Sequence, residues 1–313
     1  MDVESKSKLA RFVFSFLLIA TTACASSAIS EVISKNSNGS ELRQKLEAAS
    51  DAKVARGLTL LKMGGGNNLS MAYRLFEEAA KESNPDAEFN LGIIHMTGQG
   101  VPKSDKTAAE YFLRAAKNGH VIAQFNLAQI LLDGATGMRN YTEAAKWFSE
   151  AAQNGHTISE YNLGVMYLGG RGVIQDYSTA ASYFRRAAGK GYPPAQHNLA
   201  LMYMDGDGMP RDPVNAIKLL SLAASVGYPN SMFALGKIYM DGKSVPVDYK
   251  KAAKLFLEGA QKGHVPSQSM LAVIYGKGLG VEKDMERMMY WLRQAAASGD
   301  LNAINTLRVM GGR

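Results

Sequence analysis

The sequence predicts an all-α protein, an α/α solenoid of about seven 36-residue units, and three observations predict it. The chain repeats itself at a period of 36 without slippage: Ala87, Ala123, Ser159, Ala195, Ser231, Ser267 and Ala303 form one column. Periods of this length mark stacked supersecondary units, none of which buries its apolar face alone. Each period carries two apolar stripes of helical spacing, such as Leu163, Met166 and Tyr167, then Ala144, Ala145, Trp147 and Phe148 in the B position of the unit before. Each stripe is bounded by the same stop and start residues in every copy.

In chain order, Met1 to Ser30 has the anatomy of a signal peptide. Lys6, Lys8 and Arg11 lead, the apolar run FVFSFLLIA follows, and small residues come next, with Ala23 and Ala25 offering cleavage after Ala25. The run is too short for a membrane span. Residues 1–25 are expected to be removed, although Asp2 and Glu4 sit awkwardly in the basic lead, so an uncleaved anchor is the lesser alternative. Cys24, the only cysteine, either leaves with this segment or, in TTAC, serves as a lipidation site. No intrachain disulfide can form, and stability must come from packing. Residues 26–50 read as a tether running into a short helix at SELRQKLEAA.

The solenoid is expected over 51–313, in units 51–86, 87–122, 123–158, 159–194, 195–230, 231–266 and 267–302, with a cap helix at 301–310. Helix A of the first unit, about 51–62, looks degraded: Ala55 stands where Leu belongs, Arg56 takes the small-residue position, and Gly57 is one residue out of register. In later units Leu91, Leu127, Leu163, Leu199, Leu235 and Leu271 are each followed by Gly or Ala, which lets a neighbouring helix approach closely. Helix A then stops at a glycine column, Gly98 to Gly278, suited to a left-handed C′ position. Helix B starts on Ser104, Asn140, Asp176, Asp212, Asp248 and Asp284, all preferred N-caps worth about 1 kcal/mol each. Asn68 falls 36 before Ser104 and is expected to start the first helix B. A second glycine column, Gly119 to Gly299, ends helix B.

The string A-x-x-N-L-G-x-x-Y-x-x-G-x-G-V, followed by D-Y-x-x-A-x-x-Y/W-F-x-x-A-A-x-x-G, resembles the Sel-1-like repeat family, relatives of the tetratricopeptide repeats. The resemblance covers nearly all of the chain beyond the leader. It implies a right-handed superhelix of helix–turn–helix repeats acting as an adaptor or scaffold for other proteins, in bacterial envelope and host-interaction roles or in eukaryotic membrane quality control.

Composition agrees with a folded protein, 46% hydrophobic and 20% charged. The net charge of +7 is scattered, without a basic stripe interleaved with aromatics, so nucleic acid is not predicted as a partner. GKIYMDGKS resembles a phosphate loop, but Gly236 and Gly242 are six apart where that pattern needs five, and both belong to repeat columns. MDGDGMPRDP offers Asp205 and Asp207 to calcium but has Met209 and Ala216 where further ligands belong. His120, His156 and His264 share a column with Tyr192 and Tyr228, which points to a ring packed beside a helix end, with metal binding the weaker reading. No catalytic residue, metal or cofactor is expected.

One column invites a binding role. Asn90, Asn126, Asn162 and Asn198 precede the Leu in four consecutive units, giving way to Ala234 and Met270. At 100° per residue these amides share a helix-A face with Phe89, Phe125, Tyr161 and His197. On the concave side of a solenoid they would hold the backbone of an extended peptide, each offering a donor and an acceptor. The competing reading is that they tie adjacent repeats together. The function expected is therefore a non-catalytic exported scaffold binding a protein or extended peptide, with a membrane involved only through a lipidated Cys24 or an uncleaved leader. A luminal adaptor in endoplasmic-reticulum quality control, favoured by the sequons at Asn38, Asn68 and Asn140, and a hydrolase of envelope polymers are the alternatives.

Overall fold

The computed structural model describes residues 39–134, 137 and 139–311. Among these are fifteen helices and no strand, arranged as the A/B hairpins of an all-α solenoid. In chain order they are α1 (Gly39–Met63), α2 (Gly66–Lys81), α3 (Pro85–Thr97), α4 (Asp105–Lys117), α5 (Val121–Asp133), α6 (Tyr141–Gln153), α7 (Thr157–Gly169) and α8 (Tyr177–Gly189). They continue as α9 (Pro193–Asp205), α10 (Pro213–Ser225), α11 (Pro229–Asp241), α12 (Tyr249–Gln261), α13 (Val265–Lys277), α14 (Met285–Ala297) and α15 (Leu301–Gly311). The leader, Cys24 and Asn38 lie outside the described residues. No helix among those described is long and apolar enough to cross a membrane.

The chain divides into two compact units at Ala123/Gln124, inside α5. In the first, α1 packs on α2, α2 on α3 and α3 on α4. In the second, each helix from α6 to α14 packs on its successor. The cores share one plan. Helix B sends a large apolar residue inward, and Phe76, Phe112, Phe148, Phe184, Leu220 and Phe256 have no exposure at all. Opposite stands the small-residue column of helix A: a Cβ on Gly92, Gly164 or Gly236 would meet Phe112, Phe184 or Phe256 within 2.5, 2.6 and 2.8 Å. Burying each such ring stabilises the hairpin by about 2 kcal/mol.

The caps follow the sequence. The side chains at 104, 140, 176, 212, 248 and 284 each accept from the N–H three residues on, at 2.8 to 3.2 Å. Gly170 closes α7 at φ 65°, a left-handed conformation that leaves glycine the natural occupant. Two residues on, Gly172 presses against the preceding repeat: an added Cβ would lie 2.3 Å from the carbonyl carbon of Tyr141.

The first hairpin departs from expectation. α1 is one helix from Gly39, so the segment read as a tether with a short helix is partly continuous with the first helix A. Only two residues separate α1 from α2, against seven between α3 and α4. With the connection shortened, the register shifts, and Gly57 takes the small-residue role, its would-be Cβ 2.6 Å from the Phe76 ring. Val54 supplies the buried apolar residue while Ala55 and Arg56 face outward. Asn68 is not a cap: it lies inside the first turn of α2 and donates to the Gly64 carbonyl at 2.8 Å, and the cap position is Gly65.

Candidate functional site

The asparagine column lies half-buried on helix A rather than open to solvent. Asn90 donates to the Asp86 carbonyl of its own helix at 2.7 Å. Asn162 reaches back 33 residues to the Gln129 side-chain oxygen at 3.5 Å. Asn162 thus links two successive A helices through side chains, while the amide keeps unused donor and acceptor capacity.

The neighbouring aromatic column is drawn into the repeat joints. Phe89 stacks on His120 with ring centroids 4.4 Å apart, Phe125 meets His156 at 4.8 Å, and Tyr161 meets Tyr192 at 5.3 Å. His197 meets Tyr228 at 5.7 Å, and its Nδ1 lies 3.1 Å from Ser231 Oγ. Each pair joins helix A to the start of the next helix A, and such contacts contribute about 1 kcal/mol beyond their area.

The histidine column has a function that sequence reasoning missed. His120 Nδ1 accepts from the Ala123 N–H at 3.0 Å and His156 Nδ1 from the Ser159 N–H at 3.3 Å, so both cap helix A. His264 Nδ1 lies 2.8 Å from Ser267 Oγ. Accepting requires an unprotonated Nδ1, and burial holds His120, His156, His197 and His264 below the usual imidazole range. The signal available beforehand was position alone, a ring one residue before helix A. Among the described residues no group of three His, Cys, Asp or Glu side chains is placed to hold a metal ion.

A buried polar clamp also went unread. Glu88 and Glu160 are each 1% exposed, and both lie at the start of a helix A. Arg114 Nε donates to Glu88 Oε1 at 2.9 Å and Asn118 to Glu88 Oε2 at 3.1 Å. Arg186 and Lys190 reach the two oxygens of Glu160, both at 2.8 Å. The same arginines also close the previous helix B, donating to the Ala80 and Ala152 carbonyls at 2.9 Å. Burial raises the Glu88 carboxyl, with Arg114 acting against it. Neither buried carboxylate faces a second one, as a paired acid and base would require. The signal was in the columns: Glu at 88 and 160 is matched by Arg 26 residues later, and Gln at 124, 196 and 268 is not.

Comparison with known proteins follows the same register. The Sel1 repeat model matches residues 57–84, 85–120, 121–156, 157–192, 193–228, 229–264 and 265–300. A Sel1 repeat protein from Oxalobacter formigenes is 30% identical with a TM-score of 0.69, the match covering 78% of this chain and 96% of that one. A protective antigen present in uropathogenic Escherichia coli strains, displaying an SLR fold, is 29% identical with a TM-score of 0.74 over 83% of this chain. The match spans 56% of that protein's length. No curated protein sequence matches the chain.

Proposed function

The chain belongs to the Sel1 repeat family, and from that premise we propose that it is a non-catalytic, exported scaffold that holds a protein or extended peptide along the asparagine-bearing face of its A helices. Sel1 repeat proteins are in general scaffolds for protein–protein interaction. The observation that carries the reading is the half-buried asparagine column, Asn90, Asn126, Asn162 and Asn198, which recurs once per helix A and in which Asn162 reaches Gln129 of the preceding helix A at 3.5 Å. An extended polypeptide has alternating backbone donors and acceptors that such a row can satisfy. Export is supported by the leader anatomy of residues 1–25.

Two measurements test this. Partner capture from the native cell fraction is compared for the parent protein and for an Asn126→Ala/Asn162→Ala variant with unchanged helical content. Loss of the captured species by tenfold or more is expected, and equal capture would sink the groove assignment. Intact mass and N-terminal sequence of the protein from its own cells test the other half. A start at Ser26 is expected; a diacylated Cys24 would make it a membrane-anchored envelope protein, and glycan mass at Asn68 or Asn140 would move it to the eukaryotic secretory route.

A further inference from the structure

An open, solvent-facing cavity of about 550 Å³ lies at the surface of the second unit between the end of α10 and the last turn of α12, lined by Ala224, Gly227, Met232, Glu258 and Lys262 among others. These five residues are the positions that form the buried clamp elsewhere. Counting back 72 residues from each leads to Ala152, Gly155, Glu160, Arg186 and Lys190. There, Arg186 fills the space, bonding Glu160 at 2.8 Å and the Ala152 carbonyl at 2.9 Å, while Lys190 donates to the Gly155 carbonyl at 2.9 Å. Arg114 repeats the arrangement on Glu88 and Ala80.

In the cavity the lysine keeps its place and the arginine does not. Lys262 Nζ lies 2.9 Å from where a Cβ on Gly227 would stand, over the same turn that Lys190 covers. The arginine position has become Glu258, and the buried glutamate has become Met232, only 4% exposed. The Ala224 carbonyl accepts the Gly227 N–H at 2.9 Å, as the Ala152 carbonyl accepts the Gly155 N–H at 3.0 Å. What the Ala152 carbonyl has in addition is the guanidinium. The C-terminal end of a helix favours a cation.

We propose that this cavity takes up the arginine side chain of a partner polypeptide, whose guanidinium occupies the place that Arg114 and Arg186 fill within the chain. The fork donates to the Ala224 carbonyl and to the Glu258 carboxylate, and the alkyl stem lies along Met232. Charge supports the exchange. Glu160 with Arg186 and Lys190 carries one net positive charge, and Glu258 with Lys262 and an incoming guanidinium carries the same. Glu258 is free to turn inward, its contact with Lys254 being a 4.0 Å pair between exposed groups. This site lies outside the asparagine row and stands or falls apart from it.

The test is a titration of Nα-acetyl-arginine-N-methylamide into the isotope-labelled full chain, following backbone amide shifts at Val226, Gly227 and Lys262. Saturable shifts are expected with this probe and not with its citrulline counterpart, which has the same shape without the charge. Glu258→Gln is expected to weaken binding about tenfold while leaving the fold intact, and Met232→Glu/Glu258→Arg, which rebuilds the clamp from within, to abolish it. No saturable shift, equal response to citrulline, or unchanged binding in both variants would overturn the proposal. Free arginine binding at least tenfold tighter than the capped probe would overturn a polypeptide as its source.

Discussion

At Glu160 the protein places a carboxylate almost wholly out of water and meets its demands with two cations from the following helix B. Removing one partner of a buried pair leaves the other charge uncompensated, which costs more than removing both. Arg186 is half exposed, so its share is reduced: Arg186→Ala is expected to cost about 2 kcal/mol in a urea titration. Glu160→Gln should cost less than about 1 kcal/mol, because Gln124, Gln196 and Gln268 occupy the same column already. Equal losses from the two variants would show that leaving the Glu160 charge uncompensated carries no extra cost. The column of glutamates and glutamines was visible in the sequence, but one chain gives no way to tell a buried pair from two surface charges until the helices are packed.

At the scale of the element, the glycines divide by surroundings rather than by dihedral angle. Gly208 has φ 68° and an added Cβ would come within 2.4 Å of the Tyr177 carbonyl carbon, whereas Gly119 has φ 85° with open space around it. Gly119→Ala should therefore cost only the backbone strain of about 1 kcal/mol. Gly208→Ala adds the separation of two repeats and is expected to cost about 3 kcal/mol, read as a lower midpoint in thermal denaturation. Similar losses would mean that α8 moves aside freely. The 36-residue columns revealed both positions as glycine. They could not show which one a neighbouring backbone touches, nor that a two-residue connection after α1 would promote Gly57 into the role the period assigned to its neighbour.

Across the molecule, four histidines share one electrostatic habit. His120, His156, His197 and His264 all titrate below their unfolded value because burial disfavours the charged ring. The unfolded chain then binds more protons between the two values, so stability rises with pH in that window. The contribution is complete above the unfolded value of about 6.5 and is lost as pH falls through the lower folded values. The denaturant midpoint is therefore expected to drop between pH 7 and 5, and His156→Asn, which keeps a capping acceptor without the titration, to reduce that drop. An unchanged slope would assign the pH response to other groups. Nearest-neighbour contacts carry stability in such arrays, so each lost cap should be felt mainly in its own and adjoining repeats.

By itself the sequence determined the all-α class, the period, the family resemblance and the starts of six B helices, because these depend on residues near one another in the chain and are written copy after copy; the first hairpin, where Asn68 is no cap, escaped it. The tertiary structure decided which repeated residues face a neighbour. It turned the aromatic column into repeat joints, made His120 and His156 helix caps, paired Glu88 and Glu160 with arginines 26 residues on, and left the equivalent place beside Met232 open. The reason is physical: a local pattern fixes backbone conformation, but the partner of a buried polar group is set by packing between helices dozens of residues apart.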